Sequence, residues 1–85
     1  MNKEELLKIK EKALEEHIPI IMDDTLEVIS KILKEKKPEK ILEIGTAVGY
    51  SAICFSEYIK ENGKIDTIER DLERVKEAKE NIKKA

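Results

Sequence analysis

A five-residue run, Lys40-Ile41-Leu42-Glu43-Ile44, is enclosed between Pro38 and Gly45. That interval is too short for a helix between two breakers, so the run reads as a strand. Gly49 to about Glu61 then carries helical spacing, with Ala52, Phe55, Ser56 and Ile59 available to face a sheet. Asn62-Gly63 supplies the left-handed turn that commonly ends a helix. Ile65 to Glu69 reads as a second short strand. A strand–helix–strand crossover of this length joins two neighbouring parallel strands right-handedly, which makes the chain α/β.

Helices flank this unit. From Asn2 to about Glu16, Leu6, Leu7, Ile9, Ala13 and Leu14 recur among charges at helical spacing. Pro19 ends that helix, and Ile18 to Met22 reads as an extended apolar connector, because the residue before proline avoids helical angles. Asp24 with Glu27 resembles a capping box opening a helix from Thr25 to about Lys36, which buries Leu26, Ile29, Ile32 and Leu33. Lysines gather at its end, where cations complement the helix dipole, and Pro38 stops it. Asp71 caps a last helix whose apolar face is Leu72, Val75, Ala78 and Ile82.

The order is helix, helix, strand, helix, strand, helix. Residues 1–37 form the N-terminal helices and residues 38–85 a strand–helix–strand–helix unit, together one partial domain. Two parallel strands leave two unpaired edges, and parallel sheets are normally covered on both faces. The expectation is therefore the N-terminal half of a larger α/β domain. The alternative is a chain that pairs its strand edges with a second copy.

Charged residues make up 42% of the 85 and the net charge is -2, so the balance asks for neither nucleic acid nor an anionic membrane. The interleaved Lys and Glu read as solvated helix faces. The single cysteine, Cys54, excludes an intrachain disulfide and fits a reducing compartment; in its apolar surroundings it reads as a small core residue. No apolar stretch is long enough to span a membrane, and the N-terminus lacks a secretion signal. A cytoplasmic protein is expected.

Ligands of open parallel sheets bind beyond the carboxyl ends of the strands, where Gly45 sits. Glycine there permits unusual backbone angles and lets a ligand approach closely. Gly49 falls at the start of the next helix, a place that favours an anionic group. Glu69 ends the second strand, and its carboxylate can accept hydrogen bonds from two ribose hydroxyls at once. A dinucleotide fingerprint laid from Gly45 needs glycine also at Ala47 and Tyr50 and fails at both. A G-x-G-x-G pattern from the same start fails only at Ala47. Glu43 just before the turn suits a cationic ligand such as S-adenosylmethionine, and would repel a pyrophosphate.

The stretch from Glu43 to Ser51, EIGTAVGYS, resembles the first motif of S-adenosylmethionine-dependent O-methyltransferases of the catechol and caffeoyl-CoA type. Ile68-Glu69-Arg70-Asp71 resembles their acidic second motif. His17-Ile18-Pro19-Ile20-Ile21, Glu27-Val28-Ile29 and the Lys37-to-Gly45 entry are similar to the bacterial branch that methylates 5-hydroxyuridine in tRNA. The likeness runs from about Glu15 to Lys83. It implies the N-terminal half of a Rossmann-like methyltransferase fold and transfer of a methyl group to a hydroxyl of tRNA or of a small catechol-like molecule.

Carried over by position, the resemblance puts Glu43 near the methionine part of the cofactor, with the backbone of Gly45 and Thr46 beside it. Ser51 would donate to the methionine carboxylate and Glu69 would hold the ribose. Ile21 falls where the family has methionine or a small polar residue, with Met22 next to it. The resemblance also implies a homodimer through the N-terminal helices, and a divalent metal such as Mg²⁺ on residues beyond this stretch. Within it no catalytic pair or metal cluster is read: Asp23-Asp24 is explained by capping and His17 by a surface or hinge position. The chain alone is expected to be inactive. Two other classes stay open, a nicotinamide-dependent oxidoreductase part and a non-catalytic helical dimerisation module.

Overall fold

A computed structural model describes all residues, 1–85. It contains helices α1 (Lys3–Glu15) and α2 (Asp23–Lys36), strand β1 (Lys40–Ile44), helix α3 (Tyr50–Phe55), strand β2 (Lys64–Ile68) and helix α4 (Leu72–Lys84). β1 and β2 are parallel and in register from Lys40 opposite Lys64 to Ile44 opposite Ile68. This is the expected α/β arrangement. β1 falls where Pro38 and Gly45 confine it; β2 lies one residue earlier than read.

α1 is capped by Asn2, whose side chain accepts the Glu5 N–H at 2.8 Å. Its other end closes through two backbone bonds, Ile18 N–H to the Ala13 carbonyl at 2.9 Å and His17 N–H to the Leu14 carbonyl at 3.2 Å. That pairing is a Schellman closure, and it needs a left-handed residue at its pivot. His17 takes that place, with φ 57°. The accompanying apolar contact is Ile18 on Ala13, both buried. His17 is thus an exposed hinge residue, as its position suggested.

Several sequence expectations about the helices are corrected. α2 begins at Asp23 with Met22 at the cap, so Asp24 lies inside the first turn and bonds only the adjacent Thr25 N–H. Asp23 instead meets Lys10 of α1 at 2.8 Å. α2 has no buried residue, and Ile32 is 51% exposed, because the helix meets the body along one narrow edge. α3 stops at Phe55 and tightens into a 3₁₀ turn, Ser56–Tyr58. There the Ser56 hydroxyl turns back onto the Ile53 carbonyl at 2.6 Å, a local bond that competes with helix continuation. Leu72 opens α4 on its outer side, exposed, while Ala78 alone of that helix is buried.

The Asn62-Gly63 turn is not left-handed; positive φ is confined to other residues. Gly63 is required for a different reason. A Cβ there would stand 2.7 Å from the Glu39 carbonyl oxygen and 2.9 Å from that of Lys60, both backbone atoms. The turn delivers the chain beside β1, where the Lys64 N–H bonds the Glu39 carbonyl at 2.8 Å and starts the ladder.

Only ten of 85 residues are buried, so the interior is thin. Its centre is Ala13, Ile18, Val48 and Tyr50, with Leu6, Ile9, Leu26 and Cys54 packed around them. The sheet is one-sided. Ile41, Glu43, Ile65 and Thr67 turn toward the half-buried side, while Leu42, Ile44 and Ile68 are 67%, 75% and 54% exposed. Replacing Gly63 by alanine is expected to lower stability by about 1–3 kcal/mol, the scale of a forced overpacking. Urea unfolding of the variant against the parent chain checks it, and an unchanged midpoint would rule out the close approach.

Candidate cofactor-binding site

The strand tips are tied together by one atom. The Ile68 carbonyl at the end of β2 accepts the N–H of Gly45 at 2.7 Å and of Thr46 at 3.2 Å. From there residues 45–49 form a bend in which every second residue has positive φ. Gly45 has φ 92°, Ala47 49° and Gly49 87°. A Cβ at Gly45 would meet open space, whereas one at Gly49 would come within 3.3 Å of Ile82 Cγ1. The first glycine therefore leaves room on the ligand side, and the second lets α4 pack against the bend. Val48 plugs the bend into the interior at 1% exposure, and Asn81 of α4 donates to its carbonyl at 2.8 Å.

Side chains below the bend form a directed chain of hydrogen bonds. Thr67 donates to Glu43 Oε1 at 2.9 Å, and Ser51 donates to Glu43 Oε2. The hydroxyls of Thr46 and Thr67 lie 2.6 Å apart. A hydroxyl has one hydrogen, and that of Thr67 goes to the carboxylate, so Thr46 must be the donor. The order is Thr46 to Thr67 to Glu43, with Ser51 arriving from the other side. No buried side-chain polar atom is left unpartnered.

Glu69 works on the opposite side of the bend. Its Oε1 accepts the Ala47 N–H at 2.8 Å and its Oε2 the Asp71 N–H at 3.1 Å. One carboxylate thus clasps both loops at the strand tips. The N–H of Asp71, then that of Ala47, hold its pKa below the usual carboxylate value, since both bonds favour the charged form. Asp71 is the expected cap of α4, accepting the N–H of Glu73 at 3.0 Å.

Five of the six residues proposed from sequence, Ile21, Glu43, Gly45, Thr46 and Ser51, line one cavity of about 200 Å³. Glu69 does not line it and faces a neighbouring hollow between β2 and α4, to which Thr46 and Thr67 also contribute. Pro19, Ile20, Ile44, Ala47 and Tyr50 make up the rest of the cavity wall and are not among the residues proposed from sequence. The Tyr50 phenol is pushed up to about 12, chiefly by burial and then by the Cys54 thiol beside it, so it stays protonated at neutral pH. Burial likewise raises the Cys54 thiol, which fits a packing role over a reactive one. Thr67 and Asn81 were also missed. Thr67 is found only through the register, which sets it opposite Glu43.

The donor set suits an adenosyl sulfonium amino acid. Glu43 offers a carboxylate at the cavity for an ammonium, Gly45 opens space at the strand tip, and Glu69 offers acceptors for paired hydroxyls. The N–H groups of Gly45, Thr46, Ala47 and Gly49 are already bonded within the chain, so these four groups of the bend are not free to cradle a pyrophosphate. No group of three or more His, Cys, Asp or Glu gathers in a way that could hold a metal ion. No helix is long and apolar enough to cross a membrane.

Fold and bend together define the N-terminal part of a Rossmann-like methyltransferase architecture. The chain belongs to the protein-L-isoaspartate(D-aspartate) O-methyltransferase family, whose sequence profile matches residues 7–85. It is 40% identical over 57 residues to a protein-L-isoaspartate O-methyltransferase of Methanococcus aeolicus, covering 67% of this chain and 26% of that protein. A Staphylococcus aureus crystal structure, described as a candidate caffeoyl-CoA O-methyltransferase, matches with a TM-score of 0.84 and 32% identity. That match covers 93% of this chain and 37% of the other. The Streptomyces achromogenes O-methyltransferase TomG, involved in tomaymycin synthesis and crystallised with S-adenosylmethionine, shares the fold at a TM-score of 0.81 and 23% identity. This chain is covered to 99% and TomG to 39%. The chain therefore spans between about a quarter and two-fifths of the length of these three proteins.

Because the folded-state pKa of Glu69 is depressed, its contribution to stability is present above the ordinary glutamate value, ~4.3, and fades as pH falls through the lower folded value. Glu69→Gln removes the charge at every pH. The stability gap between the parent chain and this variant is expected to narrow from pH 7 to pH 3 in denaturant titrations. A gap that stays constant would mean the charge does not clasp the loops.

Proposed function

We propose that these residues are the cofactor half of an S-adenosylmethionine-dependent O-methyltransferase. The observation that carries the reading is the single cavity shared by Ile21, Glu43, Gly45, Thr46 and Ser51 at a bend whose far side is clasped by Glu69. In this reading Glu43 receives the cofactor ammonium, and the Gly45-Thr46 backbone lies along the methionine moiety. Ser51 turns its hydroxyl from Glu43 toward the methionine carboxylate. Ile21 packs on the apolar stem, and Glu69 takes the ribose hydroxyls on lone pairs that its two backbone partners leave free. The bound cofactor supplies an electrophilic methyl group; the chain's part is to hold it in line with an acceptor oxygen, and such positioning carries much of the rate.

The acceptor in this reading is a hydroxyl, as in 5-hydroxyuridine of tRNA or a small catechol-like molecule. The 32% identity to the Staphylococcus aureus protein, whose description names a hydroxyl-methylating class, supports it. The motif resemblance further assigns a divalent metal to residues outside this stretch, a homodimer formed through α1 and α2, and a cytoplasmic setting. The half-buried edges of α2, none of whose residues are buried, favour the dimer. A second reading has its own support. The family description and the Methanococcus aeolicus relative name the isoaspartate carboxyl as acceptor.

The chemistry of the product separates the two. A methyl ester is released by mild alkali, whereas an aryl methyl ether survives it. Labelled methyl transfer from S-adenosylmethionine is expected with the natural protein that carries this sequence, and not with residues 1–85 alone. Alkali-stable label on tRNA or a catechol supports the hydroxyl acceptor; alkali-labile label on an isoaspartyl peptide supports the second reading. Turnover by residues 1–85 alone would refute the division of labour, and no binding of S-adenosylhomocysteine by the natural protein would refute the cofactor.

A further inference from the structure

Glu43 is useful to a cationic ligand only if its carboxylate points into the cavity, and what fixes that direction is not in the glycine bend. A glutamate side chain has three rotatable bonds, and a half-buried one with free oxygens would sample several rotamers. Here each oxygen is taken by a different element. Ser51 of α3 holds Oε2, and Thr67 of β2 holds Oε1 at 2.9 Å. Glu43 and Thr67 are direct partners across the parallel register, so both side chains rise from the same side of the sheet. Thr46, 6% exposed, fixes the Thr67 hydroxyl in turn by donating to it at 2.6 Å. That donation leaves the Thr67 hydrogen no choice but the carboxylate.

We propose that Thr67 is a positioning residue for recognition of the ammonium group of the cofactor, acting through Glu43. This inference rests on the reading of the cavity as an S-adenosylmethionine site and deepens it. Thr67 does not line the cavity into which Glu43 faces; it borders the neighbouring hollow toward Glu69. It relays the fold of β2 and the burial of Thr46 to the one carboxylate that faces the ammonium. When Ser51 turns toward the ligand, Thr67 is the remaining side-chain partner of Glu43, so its bond matters most in the occupied site.

Thr67→Val keeps the β-branched shape and strand preference while deleting the hydroxyl, and Thr67→Ser keeps the hydroxyl. Calorimetric titration of the natural full-length protein with two ligands reads the effect. S-Adenosylhomocysteine carries the ammonium; 5′-methylthioadenosine keeps the adenosine and thioether but lacks the amino acid. Thr67→Val is expected to weaken S-adenosylhomocysteine roughly tenfold, the scale of one hydrogen bond to a charged group, and to leave methylthioadenosine within about twofold. Thr67→Ser is expected to restore the first ligand. Equal losses for both ligands, an unchanged S-adenosylhomocysteine affinity in Thr67→Val, or failure of serine to restore it would each overturn the role of Thr67. Absence of S-adenosylhomocysteine binding by the parent protein is a separate result and would remove the cofactor reading itself.

Discussion

The Ile68 carbonyl, accepting the N–H groups of both Gly45 and Thr46, is the bond on which the site depends. It ends the ladder between the strands and begins the bend in the same stroke. Beyond it the backbone turns back toward the body through a run with positive φ at Gly45, Ala47 and Gly49. The Gly49 N–H then closes onto the Thr46 carbonyl at 2.9 Å and launches α3. Two strands with so few flanking contacts need such a clamp, because a parallel pair alone is only marginally stable.

What keeps the bend in place is packing from behind. Val48 is the largest fully buried side chain of the core cluster, and full burial of a valine is worth about 1.5–3 kcal/mol. α4 contributes through Asn81 on the Val48 carbonyl and through Ile82 and Ala78 against Gly49. The last helix thereby reaches the first strand tip across 33 positions of sequence. α1 closes the same cluster through Ala13 and Ile18, delivered by the turn at His17. The ion pairs that join these helices, Lys10 with Asp23 and Lys12 with Glu77, sit near solvent, and surface pairs of that kind add little. Apolar packing around Val48 is the stronger tie.

The elements legible in the sequence were those bounded by local chemistry. β1 could be read to the residue because Pro38 and Gly45 leave it no freedom, and the cap of α4 because Asp71 needs only its own next turn. The end of β2 was displaced because Glu69 is spent on the clasp instead of the ladder, a choice set by Ala47 far away in sequence. The Asp24 cap failed for a similar reason: Asp23 meets Lys10 of α1 and the helix starts two residues early, at Asp23. Gly63 was recognised as a turn residue, but its actual constraint is the Glu39 carbonyl, which only the pairing of β1 with β2 brings near. Of the candidate site, the acids and glycines were visible as chemistry. Thr67 was not, since a threonine in a strand looks like ordinary strand composition until the register sets it opposite Glu43.

Ala47 shows how the site accommodates its one departure from a fully glycine-rich pattern. An L-residue at φ 49° costs on the order of 1 kcal/mol relative to glycine. The Ala47 N–H is also the one bonded to the Glu69 carboxylate, which pins the bend at this residue. A glycine N–H would make the same bond, so the clasp holds the backbone in this hand without offsetting alanine's strain relative to glycine. The methyl group then becomes part of the cavity wall beside Gly45 and Tyr50. Glycine at this position would leave the bend a wider choice of backbone angles. Alanine narrows the choices, and the bend keeps its shape while the carboxylate holds the backbone of both loops.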